Sequence, residues 1–237
     1  MHTICKSFFI NSFTDEPRKF NNEINIQNYF TDELKEISEE LRKLRCEFEG
    51  FRSEAAWRRT HKHAANITLA VASAHPNLSI AVDKKSFTVK APHLLVSPNP
   101  QRFDGILSVL GSQGFSSGQH YWAVDVSSST EWDLGVARES IKRKGEISLS
   151  PKEGFWVLGL CGKDFWAKTD PWTRVTVQRK PTKIGVFLNF LENEITFFNG
   201  TDRSVLFAFK DCLFLEDIYP FFKNTHKGTT IRICSIK

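Results

Sequence analysis

The chain has 237 residues, a formal net charge of +5 at pH 7 and 41% apolar residues, with 21 Phe and six Trp against a single Met. A positive charge this mild, on a chain this long, calls for neither nucleic acid nor an anionic membrane as partner. The five cysteines, at 5, 46, 161, 212 and 234, are odd in number and contain no C-x-x-C pair, which argues against a secreted disulfide framework and a zinc site and for reduced cytosolic or nuclear thiols, with the cytoplasm as the expected location.

Residues 1–29 are polar and Asn-rich after a short apolar start, with no period that persists, and read as an irregular or flexible leader. The apolar run after Lys6 is too short for a secretory signal, and no run approaches the ~18 residues of a membrane span. Residues 30–59 change character. Phe30, Leu34, Ile37, Leu41, Leu44, Phe48, Phe51 and Ala55 recur in alternating steps of four and three, the seam of a helix wound about a partner. Thr31 is placed to cap this helix, with Asp32 and Glu33 favourable in its first turn. Two uses of the seam stay open: a homo- or heterodimeric coiled coil through residues 30–56, or one helix laying its stripe on the domain that follows. The basic cluster Arg58, Arg59, His61, Lys62 and His63 reads as a helix C-terminus leading into a linker.

From Ala64 onward the pattern is that of strands. Trp122, Val124 and Val126 share one face while Tyr121, Ala123 and Asp125 share the other, and Trp132, Leu134 and Val136 alternate in the same way. Ile184, Val186, Leu188 and Phe190 continue the period, followed by EITFFNG, SVLFAFK and TTIRICSIK. Short strands with frequent turn signals predict a mainly β fold, a sandwich of two antiparallel sheets preceded by one helix of coiled-coil periodicity. The Gly/Ser-rich stretch GSQGFSSGQH (111–120) precedes a strand, not a helix, so it reads as a turn and not as a phosphate cradle. His75, His120 and His226 stand in no nucleophile or metal motif, and G-x-S-x-G and H-E-x-x-H are absent, so neither catalysis nor a metal or cofactor is expected.

Several ordered blocks resemble the B30.2 (PRY/SPRY) domain of TRIM proteins and butyrophilins: VLGSQGFSSGQHYWAVDV, EWDLGVARESIKRKG, LSPKEGFWVLGL, KIGVFLNFLENEITFFNG and IYPFF, with NITLAVASAHPNLSIAVDKKSF and NPQRFDG in the PRY portion. The resemblance covers roughly residues 57–237. It implies a domain at 60–237, with PRY at about 64–110 and SPRY at about 111–237. The chain departs from the family pattern at Leu69-Ala70-Val71, where L-D-P is usual. It departs again at Trp122-Ala123-Val124-Asp125 against W-E-V-E, and at Leu188-Asn189-Phe190-Leu191 against L-D-Y-E. The last change alters the face on which relatives bind partners, so partner choice does not transfer. The two Cys and three His in residues 1–63 cannot build the RING and B-box zinc modules of TRIM ligases.

The resemblance implies a non-catalytic module that grips a protein through loops on a rigid scaffold, in innate-immune or ubiquitin-linked regulation. The candidate partner-binding residues are Phe103, Trp132, Asp133, Lys163, Phe165, Trp166, Asn189 and Phe190. The stretch CGKDFWAKTDPW (161–172) is the richest in hot-spot residue types. A second expectation is an accessory or competing subunit of a TRIM ubiquitin ligase acting through the helix. A lesser one is a butyrophilin-like site for a small phosphorylated ligand, to which the basic run Lys142, Arg143 and Lys144 would contribute.

Overall fold

A computed structural model describes residues 15–90 and 99–235. The chain divides into two units, Met1–Arg52 and Ser53–Lys237. Helix α1 runs Asp15–Thr60, which corrects the expected leader: residues 15–29 are helical, and residues 1–14 lie outside the described residues. Periodicity missed this part because Asn-rich sequence carries no apolar stripe, yet a helix once nucleated propagates on backbone bonds alone. Asp15, Glu16 and Pro17 suit a first turn, and no glycine intervenes before Gly50. Thr31 is consequently helix interior rather than a cap. In the first unit the seam side chains are exposed throughout, from 52% at Ile37 to 76% at Phe51.

The second unit begins with the last turns of α1. Arg58 pairs with Glu54 at 2.9 Å. The Trp57 carbonyl accepts a hydrogen bond from Thr60 Oγ1 at 2.8 Å and lies 2.9 Å from His61 Nδ1, so an orphan carbonyl of the helix end is satisfied locally. A 3₁₀ turn, His61–His63, follows, and the basic cluster is thus a helix C-terminus.

Thirteen strands follow among the described residues: β1 Leu78–Ile80, β2 Ser86–Val89, β3 Ser108–Leu110, β4 Gln119–Asp125, β5 Glu131–Arg138, β6 Phe155–Cys161, β7 Asp164–Ala167, β8 Thr173–Val175, β9 Lys183–Asn189, β10 Glu194–Asn199, β11 Val205–Phe209, β12 Ile218–Asn224 and β13 Thr230–Ile233. They form a seven-stranded sheet, β1-β2-β13-β4-β9-β10-β11, and a six-stranded sheet, β3-β12-β5-β6-β7-β8, with every pairing antiparallel. The two-sheet sandwich with one N-terminal helix is the architecture that the alternation implied.

Period-two patterning decides which side chains meet between the sheets. Trp122 and Val124 of β4 join Ile184, Val186 and Leu188 of β9, and meet Trp132, Leu134 and Val136 of β5 and Trp156, Leu158 and Leu160 of β6 in one continuous core. The outer face of the six-stranded sheet is covered over only part of its area. There Ala137, Phe155, Val157 and Phe221 pack beneath Phe103, Ile141 and Leu149, which the flanking loops supply, as a second apolar cluster. The Gly/Ser-rich stretch brings the chain alongside β12: Phe115 exchanges backbone bonds with Ile218 at 2.8 and 2.9 Å. A Cβ on Gly114 would sit 2.6 Å from the Tyr219 ring, so any larger residue there would have to displace that ring. His120 stacks on Phe115 at 3.8 Å, a packing role for that histidine.

Candidate protein-interaction site

Where the second cluster ends, the outer face of the six-stranded sheet carries a row of directly opposed residues. Lys223 on β12 faces Asp133 on β5, Asp133 faces Gly159 on β6, Gly159 faces Trp166 on β7, and Trp166 faces Arg174 on β8. Such neighbours stand within side-chain reach. Asp133 is only 5% exposed and must therefore find cations. Lys223 Nζ lies 2.5 Å from Oδ2, and Lys168 Nζ lies 3.4 Å from Oδ1. The Lys168 ammonium also sits 3.4 Å from the ring centroid of Trp172, a cation–π contact on a half-exposed indole.

Gly159 makes room for this cluster. A Cβ there would fall 2.1 Å from Asp133 Oδ1 and 3.0 Å from the Lys168 side chain. Two ammonium groups share one carboxylate, so the row keeps one surplus positive charge. Each ammonium has three donors, and their bonds to Asp133 leave donors over for an incoming acceptor. A cleft of about 530 Å³ opens beside the row, lined by Asp133, Lys168, Lys223 and Trp172 together with Ile106, Lys142, Glu146, Ile147, Ser148, Leu149, Glu153 and Phe155. Lys142, Glu146 and Glu153 are exposed at its rim.

Of the eight residues singled out from sequence, the structure brings together Asp133 and Trp166. Phe103 (0% exposed), Trp132 (2%) and Phe165 (5%) are corrected to core residues. Their apolar rings turn inward, Phe103 into the second cluster and Trp132 against Phe165 edge-on at 6.0 Å between the sheets. Asn189 is buried on the other sheet, where its Oδ1 accepts bonds from the Leu191 and Glu192 amides and its Nδ2 donates to Glu192 Oε2 at 2.9 Å. That geometry shapes the β9–β10 turn and leaves no free polar atom for a partner. Phe190 is half-buried against Phe214, with ring centroids 4.9 Å apart. Lys163 is exposed on the β6–β7 turn and lines a separate groove beside Arg174.

Lys168 and Trp172 fall in the stretch 161–172 that the sequence singled out but were not named as candidates, and Lys223 was missed. One signal was available: Asp133 interrupts the apolar strand EWDLGV, and Lys223 ends the outward row Tyr219, Phe221, Lys223. A carboxylate and an ammonium in such places on an otherwise apolar sheet invite a pair. The basic run is put to structural use. The Arg143 guanidinium donates to the Gln101 and Glu139 carbonyls at 3.2 and 3.0 Å, and Lys144 pairs with Asp104 at 3.9 Å.

The sequence model of the SPRY domain matches residues 119–235, and that of the SPRY-associated domain, PRY, matches residues 67–115. The chain belongs to the B30.2 (PRY/SPRY) family. It is 37% identical over 183 residues to the human putative butyrophilin subfamily 2 member A3, covering 77% of this chain and 31% of that protein. To the mouse E3 ubiquitin-protein ligase TRIM21 it is 38% identical over 178 residues, 73% of this chain and 38% of that protein. To the mouse erythroid membrane-associated protein it is 37% identical over 204 residues, 84% and 36%. The chain thus spans about a third of the length of these relatives. Among solved structures, the TRIM65 PSpry domain superposes with a TM-score of 0.64 at 20% identity, covering 75% of this chain and 95% of that one, a likeness of fold. The B30.2 domain is a protein-interaction module in its TRIM and butyrophilin relatives. Among the described residues, no helix is long and apolar enough to cross a membrane.

Proposed function

We propose that this B30.2 domain binds a protein partner on the outer face of its six-stranded sheet, along the row Lys223, Asp133, Gly159 and Trp166 and across Trp172. One observation carries the reading: the loops seal that face with an apolar cluster at one end, and beyond it a cleft opens beside a buried ion cluster, with the Trp166 and Trp172 indoles accessible. Aromatic side chains beside a desolvated ion cluster have the composition of an interface hot spot. The spare ammonium donors favour a partner that presents an acceptor, an acidic side chain or a main-chain carbonyl, next to apolar surface.

A doubly charged phosphate is disfavoured, because Asp133, Glu146 and Glu153 match Lys142, Lys168 and Lys223 in number around the cleft. Binding without catalysis is the activity proposed, and regulation of immune signalling or ubiquitin transfer in the cytoplasm would follow from the partner chosen. The test is quantitative capture of native proteins on the whole chain, followed by purified binding of each captured protein. Trp166→Ala with Trp172→Ala weakens the true partner by at least about tenfold, while Lys163→Ala leaves it unchanged. Equal affinity for the folded double variant would overturn the assignment.

A second reading is supported by the exposed seam of α1. The helix pairs chains, either two copies of this one or one copy with a coiled-coil protein such as a TRIM ligase, in which it would act as an accessory or competing subunit.

A further inference from the structure

The seven-stranded sheet ends at β11, whose far side pairs with no strand. Main-chain parity tells what that edge presents. The Asn199 amide donates to the Ser204 carbonyl and the Cys212 amide to the Asn193 carbonyl, so the odd-numbered residues of β10 turn their backbone groups toward β11. Ile195 and Phe197 therefore exchange bonds with Phe209 and Phe207, the residues opposite them. Ala208 lies between those two and directs its N–H and C=O away from the sheet, where no backbone partner meets them among the described residues.

A groove of about 450 Å³ runs along this edge. Residues 207–213 line it one after another, so β11 meets the groove with its edge rather than with one face. Pro151, Trp156 and Leu213 add apolar walls, and Arg138 completes the lining. Arg138 ends β5 on the inward parity of Leu134 and Val136. Its guanidinium stands 5.2 Å from the centre of the Trp156 ring, and Nη2 donates to the Leu213 carbonyl at 3.1 Å. That is its one side-chain hydrogen bond among the described residues, and its Nε is buried with no acceptor. A guanidinium has five donors in a planar fork, so this one is left to receive a carboxylate. The charges around the groove, Arg138 and Lys210 against Asp170 and Asp211, cancel, which suits a single carboxylate and not an anion of higher charge.

We infer that this groove takes a short extended segment of a partner protein as an added strand, its backbone paired with Ala208, an acidic side chain on Arg138 and apolar neighbours against Phe207 and Leu213. In strand addition the main-chain bonds supply affinity and the pockets for alternate side chains supply sequence preference. A β-bulge displaces the start of β11 and Lys210 follows its end, so the usable edge is short and admits a peptide segment rather than a whole sheet. A second copy of this chain is the poorer occupant, because its own edge, SVLFAFK at 204–210, holds no carboxylate for Arg138. The groove shares no lining residue with the cleft beside the Asp133 row, so the two sites are separate.

The test uses the full chain and the peptide fluorescein-KVTVDVTVK-amide, beside the same peptide with Asn in place of its Asp and a third N-methylated on alternate backbone nitrogens. Anisotropy up to about 1 mM protein reads affinity, and amide NMR reads the place. The Asp peptide binds at least about tenfold tighter than the Asn peptide, the effect of a hydrogen bond to a charged group. The N-methylated peptide cannot pair with an edge and loses binding. On addition of the Asp peptide the Ala208 amide shifts and its exchange with solvent slows. Arg138→Gln removes the preference for Asp over Asn. Ala208→Pro deletes a donor that makes no bond within the sheet, a change that edge strands tolerate, and abolishes binding.

The three peptides decide the matter without any change to the protein. Equal affinity for the Asp and Asn peptides contradicts the role of Arg138, and binding that survives N-methylation, or no binding of any peptide, contradicts strand addition. Trp166→Ala with Trp172→Ala leaves the Asp peptide bound; its loss in that variant would move the peptide to the Asp133 row and overturn this site. Sedimentation of the chain alone covers the other occupant. A dimer that Ala208→Pro dissolves would make the occupant a second copy and overturn the assignment to a partner's segment.

Discussion

The two outer faces of the sandwich are built from the same alternating strands and are finished in opposite ways. On the seven-stranded sheet, Tyr121 and Phe198 receive Trp57 from the end of α1, edge-on at 5.5 and 5.8 Å, and the patch is aromatic. On the six-stranded sheet the loops stop short, and a buried carboxylate with two ammonium groups stands at the opening. One face uses aromatic area for cohesion. The other keeps a desolvated charge cluster, which adds little net stability compared with apolar packing but would offer directional donors to the proposed partner.

The comparison can be broken most forcefully at Asp133. Asp133→Ala leaves Lys168 and Lys223 without their carboxylate, and a loss of about 3–5 kcal/mol is expected in urea unfolding, the range for an orphaned buried charge. Replacing the cluster whole, Asp133→Leu with Lys168→Met and Lys223→Met, recovers most of that stability while abolishing partner binding. If stability and binding returned together, the cluster would be packing only.

On the aromatic face, Trp57→Ala removes a partly buried indole and is expected to cost about 2–3 kcal/mol, toward the low end for large-to-small changes, with no change in partner affinity. Gly159→Ala drives a methyl into Asp133 and is expected to cost about 1–3 kcal/mol, with loss of binding that exceeds the loss of stability. Denaturation and calorimetry on the same samples separate the two effects.

The smallest expected effect is a pH dependence. Burial pushes the Tyr121 hydroxyl well above its ordinary range and the Cys212 thiol up to about 12. Both groups hold their protons more tightly in the folded state, so the unfolded chain releases them first as pH rises. Their contribution is whole below about pH 9 and declines as pH climbs from there toward 12. Tyr121→Phe with Cys212→Ala should flatten the fall of the melting temperature above pH 9. Tyr121→Phe alone should leave neutral-pH stability unchanged or slightly higher, because the buried hydroxyl has no hydrogen-bond partner among the described residues. An unchanged alkaline slope in the double variant would show that other groups govern it.

Strand alternation made the sandwich legible, since Trp122, Val124, Ile184 and Val186 can share a buried face only in extended chain. The seam of α1 was legible for the same kind of reason, whereas its first fifteen residues were not, because helix without an amphipathic face leaves no period to read. The proposed site was half legible. Asp133 and Trp166 stood out by residue type, but Phe103, Trp132 and Phe165 have the same aromatic character and point inward, and sequence parity alone does not say which sheet face the loops will cover. Lys168, Trp172 and Lys223 come from two distant segments, and only the register of β12 against β5 and the path of the chain after β7 bring them to one carboxylate.

Hydrogen–deuterium exchange of the whole chain, free and saturated with a captured partner, tests the interaction surface most directly. Binding on the six-stranded sheet slows exchange in residues 131–135, 157–172 and 221–225 and leaves the β9–β10 turn and the Trp57 patch unaltered. Protection centred on residues 189–193 or around Tyr121, with the Asp133 row unchanged, would contradict it.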